Sequence, residues 1–395
     1  MSSLSAFESL TGGLPPREWD ELAGNRLYSS YDWLRFCATD IGGRTTTGAV
    51  HADGAAVSVT AVAQEPNPFY QWNTQLTARG LPAPAAAGLL VGQRRGYQTH
   101  LLTPEGAGAQ SVAPALLDGV RTLASELAGS ELLDGVGGPS APGPVPVVAS
   151  FVGTSDVQAL RSAGVRTSPV LLTTDAWVSI PEGGWAQWLQ ELPSKGRRDS
   201  VKQEVKAFAA AGYEISKAPL TECYRQAADL LAGTQKRYGH SYDLHVLSES
   251  FRLQGEAMGA KAQVLFCARP GEPAVGFCLF YIHGDTLFVR AVGFDYERLI
   301  RGAAEYFNLV YYAAVRIAAE NGLRWLAPGI ESADAKALRG ARLRPLWLLD
   351  LSPESVLLGH DDEIRAYNAA EMSRLSDISP AVSKALEHEL YAPFC

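Results

Sequence analysis

The chain opens with two stretches in which apolar positions recur at near-helical spacing. In "PPREWDELAG" these are Trp19 and Leu22, and in "LYSSYDWLRFCATDI" they are Trp33, Leu34, Phe36 and Cys37. "SSYDWL" adds a Ser-rich N-cap with Asp32 in the first turn. The period then changes: "TTTGAVHADGAAVSVTAVAQ" is two β-rich runs meeting at the turn "HADG", the pattern of a hairpin. From Glu65 to Gly96 the pattern fades, and "EPNPF", "LPAP" and "AAAG" predict a long loop or covering segment, the kind that often carries function when ordered. "GYQTHLL" predicts a strand and "SVAPALLDGVRTLASELAG" an amphipathic helix with Gly129 at its end. "GGPSAPGPVPVVASFVG" is punctuated by Pro and Gly, and "DVQALRSAG" predicts another helix.

From about residue 170 the signals sharpen. "TTDAWVSIP" predicts a strand, "GWAQWLQELPSKGRRDSVKQEVKAFAAAG" one or two helices, and "YEISKAP" a strand. Helices follow in "TECYRQAADLLAGTQKRYG" and "LSESFRLQGEAMG", then three strands joined by the turns "PGEP" and "HGD". The long helix "AAEYFNLVYYAAVRIAAENG" stops at Asn-Gly, the strand "LRWLAPG" leads into the basic loop "IESADAKALRGARLR", and "PLWLLDLS" closes the unit. Residues 351–395 are more polar and predict helix.

This order of elements is that of an acyltransferase domain of the GNAT type, and the first half repeats it in degraded form. The expected fold is therefore α/β with a mixed sheet: a GNAT-like domain over 1–168, a catalytic GNAT-like domain over 169–350 and a helical extension over 351–395. Length agrees, because 395 residues exceed what one hydrophobic core usually serves.

Composition narrows the class. With 47% hydrophobic and 19% charged residues the chain can bury sizeable cores. The start "MSSLSAFESL" lacks the basic and apolar regions of a secretory signal, and no apolar run reaches the length of a membrane span, so a cytoplasmic protein is expected. A net charge of −8 excludes a surface that coats nucleic acid, though a local basic groove remains open. Five scattered cysteines without a CxxC pair suggest neither a disulfide framework nor a zinc site, and of seven histidines only His240 and His245 lie close together. No metal is expected.

Several segments resemble the FemAB-like branch of the GNAT superfamily, over most of residues 15–350. "WDELAGNRLYSSYDWL" resembles the family's N-terminal helices. "PSKGRRDSVKQEVKAFAAAGYEI" resembles its basic helix, with Arg198 and Val201 at the Arg-x-x-Ile positions. "AEYFNLVYYAAVRIAAENGLRWLAPG" resembles its long helix and strand, and "KALRGARLRP" its Lys-x-x-(Phe/Arg)-Gly loop. The resemblance implies aminoacyl-tRNA as donor, Lys336 as stabiliser of the tetrahedral oxyanion, and Arg198 as a contact to acceptor phosphates. The coiled-coil arm often found in members acting on muropeptide precursors is missing, so a small amine stands beside a peptidyl amine as acceptor, as in relatives that serve natural-product pathways.

The residues carry their own reading. An acetyl-CoA domain presents a Gly-rich loop whose N–H groups cradle pyrophosphate at the start of the long helix, and "RLIRGAA" matches it only in part. Acyl-CoA is therefore the alternative donor, and no cofactor is expected. Without a Ser-His-Asp or Cys-His signature, direct attack by the amine is the simpler route, with positive charge needed where the oxyanion develops. Lys336 can supply it, with Arg339, Arg342 and Arg344 beside it facing ester and phosphate; the competing reading is a solvated lysine. Lys195, Arg197, Arg198, Lys202 and Lys206 form either a phosphate-contacting or an ordinary solvated helix face. His240 is a candidate general base, with Tyr238 and Tyr242 as pocket linings; Glu331 and Asp334 compete as carboxylate bases or amine anchors. Asn308 and Glu305 lie where a helix start can contact ligand, Tyr311 can offer its hydroxyl or belong to the core, and Arg94, Arg95 and Tyr97 stand before a strand. A catalytically silent ligand-binding GNAT protein is the non-enzymatic alternative. Oligomeric state has no signature here.

Overall fold

A computed structural model of the chain describes residues 3–133, 144–240 and 242–395; positions 137–143 of the Pro/Gly-punctuated stretch lie outside them. The strands are β1 (Arg44–Ala52), β2 (Ala55–Gln64), β3 (Gly88–Val91), β4 (Val147–Val152), β5 (Val170–Ser179), β6 (Glu214–Pro219), β7 (Ala262–Ala268), β8 (Gly276–His283), β9 (Thr286–Phe294), β10 (Trp325–Gly329) and β11 (Arg342–Asp350). The chain forms two compact units. One takes the chain up to Thr174 with Arg344–Asp377 and Glu387–Cys395; the other takes Asp175–Leu343 with Ile378–Leu386.

In the first unit β1, β2 and β3 pair antiparallel, β3 and β4 parallel, and β11 closes antiparallel on β4. Asp53 and Gly54 at the β1–β2 turn both take positive φ (51° and 76°), which is what a tight hairpin requires. Helix Ala109–Leu127 and helix Thr154–Ser162 cross over from β3 to β4 and from β4 to β5. In the second unit the end of β5 pairs antiparallel with β10, β10 parallel with β9, and β9, β8, β7 and β6 form an antiparallel meander. In both units the strand pairing is mixed, as expected from the alternation of hairpins and helical crossovers.

Two expectations from the sequence change. The segment read as a long loop holds β3, "GLLV", and helix Trp72–Thr77, whereas "GYQTHLL" forms only isolated pairings of Thr99 with Val152 and Leu102 with Ala56. A four-residue strand buried throughout has no alternation to reveal it.

The tail also departs from the appendage expected of 351–395, since most of it lies within the first unit. Leu357 and Ile364 join Val62, Trp72, Leu90 and Leu348 in one buried cluster. Asn368 is fully buried: its Oδ1 accepts the Leu171 N–H at 2.8 Å and its Nδ2 donates to the carbonyls of Pro169 (2.9 Å) and Phe394 (2.8 Å). Strand pairing, not chain order, sets the unit boundaries, because β11 pairs with β4 of the first unit and the end of β5 pairs with β10 of the second.

The long helix over 305–320 is composite. An α-turn Glu305–Phe307 leads into a π segment Asn308–Tyr312 and then α-helix Ala313–Glu320. Such π turns are uncommon and cluster at functional places.

Replacing Asn368 with Leu leaves the Leu171 N–H and two carbonyls buried without partners. Urea unfolding is expected to show a loss on the order of 3 kcal/mol, far above that of a substitution on an exposed helix face.

Candidate functional site

β10 ends at Gly329, and three of the next positions turn the chain sharply: Gly329, Glu331 and Ser332 all take positive φ (77°, 67° and 53°). Two of them are not glycine, so this turn is held by its surroundings. It delivers the short helix Ala333–Ala337, whose Lys336 bends back on the strand end. Lys336 is only 3% exposed; its Nζ donates to the Gly329 carbonyl at 2.6 Å and to that of Ile330. Burial pulls its pKa down to about 7, against the attraction of Asp175 and Glu331. The solvated-lysine reading is excluded.

Arg339 is buried one turn further on. Its Nη1 donates to the Ala335 carbonyl and its Nη2 to Glu204 Oε2, both at 3.1 Å. Its guanidinium carbon lies 3.4 Å from the Phe307 ring centroid, 5.4 Å from that of Tyr311 and 5.7 Å from that of Tyr312. Glu204 also accepts the Tyr312 hydroxyl, and its backbone carbonyl accepts Asn308 Nδ2 at 3.1 Å. Glu204 belongs to the basic helix Lys195–Ala210, so one carboxylate joins that helix, the π segment and the Lys336 loop.

The basic helix starts at Ser194, whose Oγ caps Arg197 N. Lys195 is exposed, and Arg197 and Arg198 are half-buried. Arg198 Nη1 donates to the Leu192 carbonyl at 3.1 Å. Arg198 and Lys202, with Trp185, Ala186, Leu189 and Gln190, line an open cleft of about 460 Å³. Arg316 stacks on Trp185 at 4.2 Å from its ring.

The turn that would cradle a pyrophosphate holds a carboxylate instead. Glu305, buried at the first turn of the 305–320 helix, accepts the Ile300 N–H through Oε1 at 2.8 Å. Burial and this neighbouring carboxylate push the Tyr213 hydroxyl up to about 12.

Of the residues singled out from the sequence, Arg339, Asn308 and Tyr311 gather at Glu204, Lys336 and Glu331 share the turn after β10, and Arg198 lies on the helix that carries Glu204. The four cations of the loop do not act as a group: Arg342 is exposed, and Arg344 belongs to the first unit, where it pairs with Glu387 at 2.8 Å. Asp334 is tied to Ser379 Oγ. His240, Tyr238 and Tyr242 sit exposed at a helix corner. In the first unit Arg94 is buried on Glu65 (2.7 Å), Arg95 pairs with Asp40 (2.6 Å), and both arginines are thereby structural there. Sequence reasoning missed Glu204 and Asp175. Glu204 looked like one more acid on a charged helix face, and its partner Arg339 is 135 positions away.

Two mixed-sheet units with this helix order define the class of tandem GNAT-like folds. The chain belongs to the FemAB-like family, described as peptidoglycan biosynthesis/recognition, which matches residues 147–378, more than half of its length. Membership makes it a transferase of the aminoacyl or acyl type. Among solved structures it is similar to FemX (TM-score 0.56, 11% identity, covering 86% of this chain and 96% of that one). It is also similar to a conserved protein of unknown function from Bacteroides thetaiotaomicron (0.52, 11%, 86% and 98%). A third likeness is to the C-terminal domain of a putative lysylphosphatidylglycerol synthetase from Agrobacterium fabrum (0.50, 11%, 88% and 95%). At such identities these likenesses establish fold alone. No curated protein matches the sequence.

Two outcomes follow from the buried charges. Between pH 7 and 10.5 the unfolded chain holds a proton on Lys336 that the folded chain has released, so unfolding free energy rises with pH there, by up to about 1.4 kcal/mol per unit. The wild type is thus expected to gain stability relative to Lys336→Met across that range in urea unfolding; a constant difference contradicts the buried cation. Glu204→Gln leaves the Arg339 charge without its carboxylate and is expected to cost on the order of 2–3 kcal/mol, with a coupling above about 1 kcal/mol when combined with Arg339→Met in a double-mutant cycle.

Proposed function

We propose that the chain forms an amide bond by transferring an aminoacyl group from aminoacyl-tRNA to the amine of a small molecule or peptide in a natural-product pathway. The observation that carries the choice of donor is Glu305. A GNAT domain binds acyl-CoA by offering free N–H groups and a positive helix end to pyrophosphate. Here a buried carboxylate takes the Ile300 N–H at that turn, and a second negative group beside it is unfavourable.

In the proposed reaction the neutral amine attacks the ester carbonyl of the donor. A C–N bond forms, the bond from the carbonyl carbon to the ribose oxygen breaks, and the amine's proton is lost as the ribose hydroxyl takes one up. The protein's part is to hold the ester in line and to set positive charge where the oxyanion appears. Lys336 Nζ has two of its three hydrogens on the carbonyls of Gly329 and Ile330, which orients the third. Arg198 and Lys202 beside the Trp185 indole suit a phosphate next to a planar base. Glu331, exposed in the same turn, is the carboxylate we assign to receive the acceptor amine's proton.

The test is transfer of radiolabel from a pool of charged tRNAs, with and without ribonuclease, to amine-containing small-molecule extracts, beside acyl-CoA donors. Ribonuclease-sensitive product that falls at least about a hundredfold in Lys336→Met is expected. Activity resting on the Lys336 cation is expected to decline as pH rises through about 7. Transfer from acyl-CoA alone overturns the donor assignment.

A further inference from the structure

Asp175 is a buried carboxylate to which the transfer reaction gives no task. It is the first residue of the second unit, is 4% exposed, and its Oδ2 accepts Trp177 Nε1 at 2.7 Å. The two residues share one face of β5, because side chains alternate along a strand. The Trp177 ring is held edge-on, its centroid 6.0 Å from that of Trp325 and 6.2 Å from that of Phe288, so the indole fixes where the carboxylate stands.

Strand register sets what this carboxylate lies beside. β5 pairs antiparallel with β10 through Ser179 with Trp325, Val178 with Leu326 and, after an irregularity, Ala176 with Gly329. One residue further along, Asp175 comes level with Ile330, whose carbonyl, with that of Gly329, accepts Lys336 Nζ. A carboxylate and an ammonium, each almost removed from water, thus stand at the same strand end.

A neutral indole N–H does not cancel a buried negative charge, and two carbonyls do not cancel a buried positive one; opposite charges brought together there favour each other's ionised forms. Lys336 is under the attraction of Asp175 more than of Glu331, which is exposed and screened by water. The remaining charged groups nearby are engaged or sit on other elements. Asp334 is held by Ser379 Oγ and Arg339 by Glu204, Lys384 is exposed on the helix packed against Ala333–Ala337, and Arg290 lies on β9 beyond Phe288, the last β9 residue paired with β10. We propose that Asp175 is a positioning residue that holds Lys336 as a cation at the end of β10, with Trp177 fixing the carboxylate. The consequence for turnover rests on the function proposed above; the charge pairing itself does not.

The test follows from the sign of the interaction. Asp175→Asn removes an attraction that favours the protonated amine, so the pKa of Lys336 in the folded chain falls below about 7. The pairing stabilises the fold while Lys336 is protonated and ceases to do so once the amine is neutral. In urea unfolding of the full chain, a double-mutant cycle of Asp175→Asn with Lys336→Met is expected to show about tenfold coupling in the unfolding constant at about pH 5.5 and none at about pH 9. In the transfer assay, the decline of activity with rising pH is expected about one unit lower in Asp175→Asn than in the wild type. Should Asp175→Asn fail to fold, Asp175→Ser carries the same two measurements. Coupling of equal size at both pH values, which a purely structural carboxylate gives, overturns the proposal, as does a decline of activity at the wild-type pH. If no donor gives transfer, the function proposed above fails and the unfolding cycle alone decides the pairing.

Discussion

A guanidinium removed from water must be met by a carboxylate, by carbonyl oxygens or by aromatic faces, and Arg339 is met by all three. Glu204, the Ala335 carbonyl and the rings of Phe307, Tyr311 and Tyr312 surround it. Those partners come from several elements, so satisfying one charge fixes the basic helix, the start of the 305–320 helix and the loop after β10 in a single arrangement. Asn308 and Tyr312, at the two ends of the π segment, both address Glu204, through its carbonyl and its carboxylate. Lys336, buried one turn before Arg339, turns onto the strand end, where the carbonyls of Gly329 and Ile330 take two of its hydrogens.

The cations at the Trp185 cleft and at the end of β10 lie away from the start of this unit's long helix. A helix N-terminus is normally the place for a phosphate, yet Glu305 occupies it with a buried carboxylate. Positive charge is displaced to Arg198 and Lys202 at the Trp185 cleft and to Lys336 at the end of β10. In the reaction we propose, these cations meet an ester donor held by its nucleic acid and attacked directly by an amine.

The first unit is stabilised by a different logic. Its core recruits Leu348, Leu357 and Ile364 from far along the chain, and Asn368 ties the strand that begins at Val170 to the final residues. Arg94 and Arg95, which resemble binding groups in the sequence, neutralise Glu65 and Asp40 there. A buried carboxylate beside a buried guanidinium is a structural necessity before it is a site.

The sequence by itself determined the local elements whose signals are local: the β1–β2 hairpin at Asp53 and Gly54, the meander β7–β9, the helix stop at Asn321 and Gly322, and Lys336 and Arg198 as cations in family motifs. Periodicity and turn chemistry are written within a few residues, so they can be read without a fold. Tertiary structure decided whatever depends on who meets whom. It placed β3 in a segment that looked like loop, gave the polar tail to the first unit's core, separated Arg344 from Arg339, and made Glu204 the hub of a buried cluster. Those outcomes rest on burial and on pairings between residues from 26 to 135 positions apart, and burial is not a property that any short stretch of sequence possesses on its own.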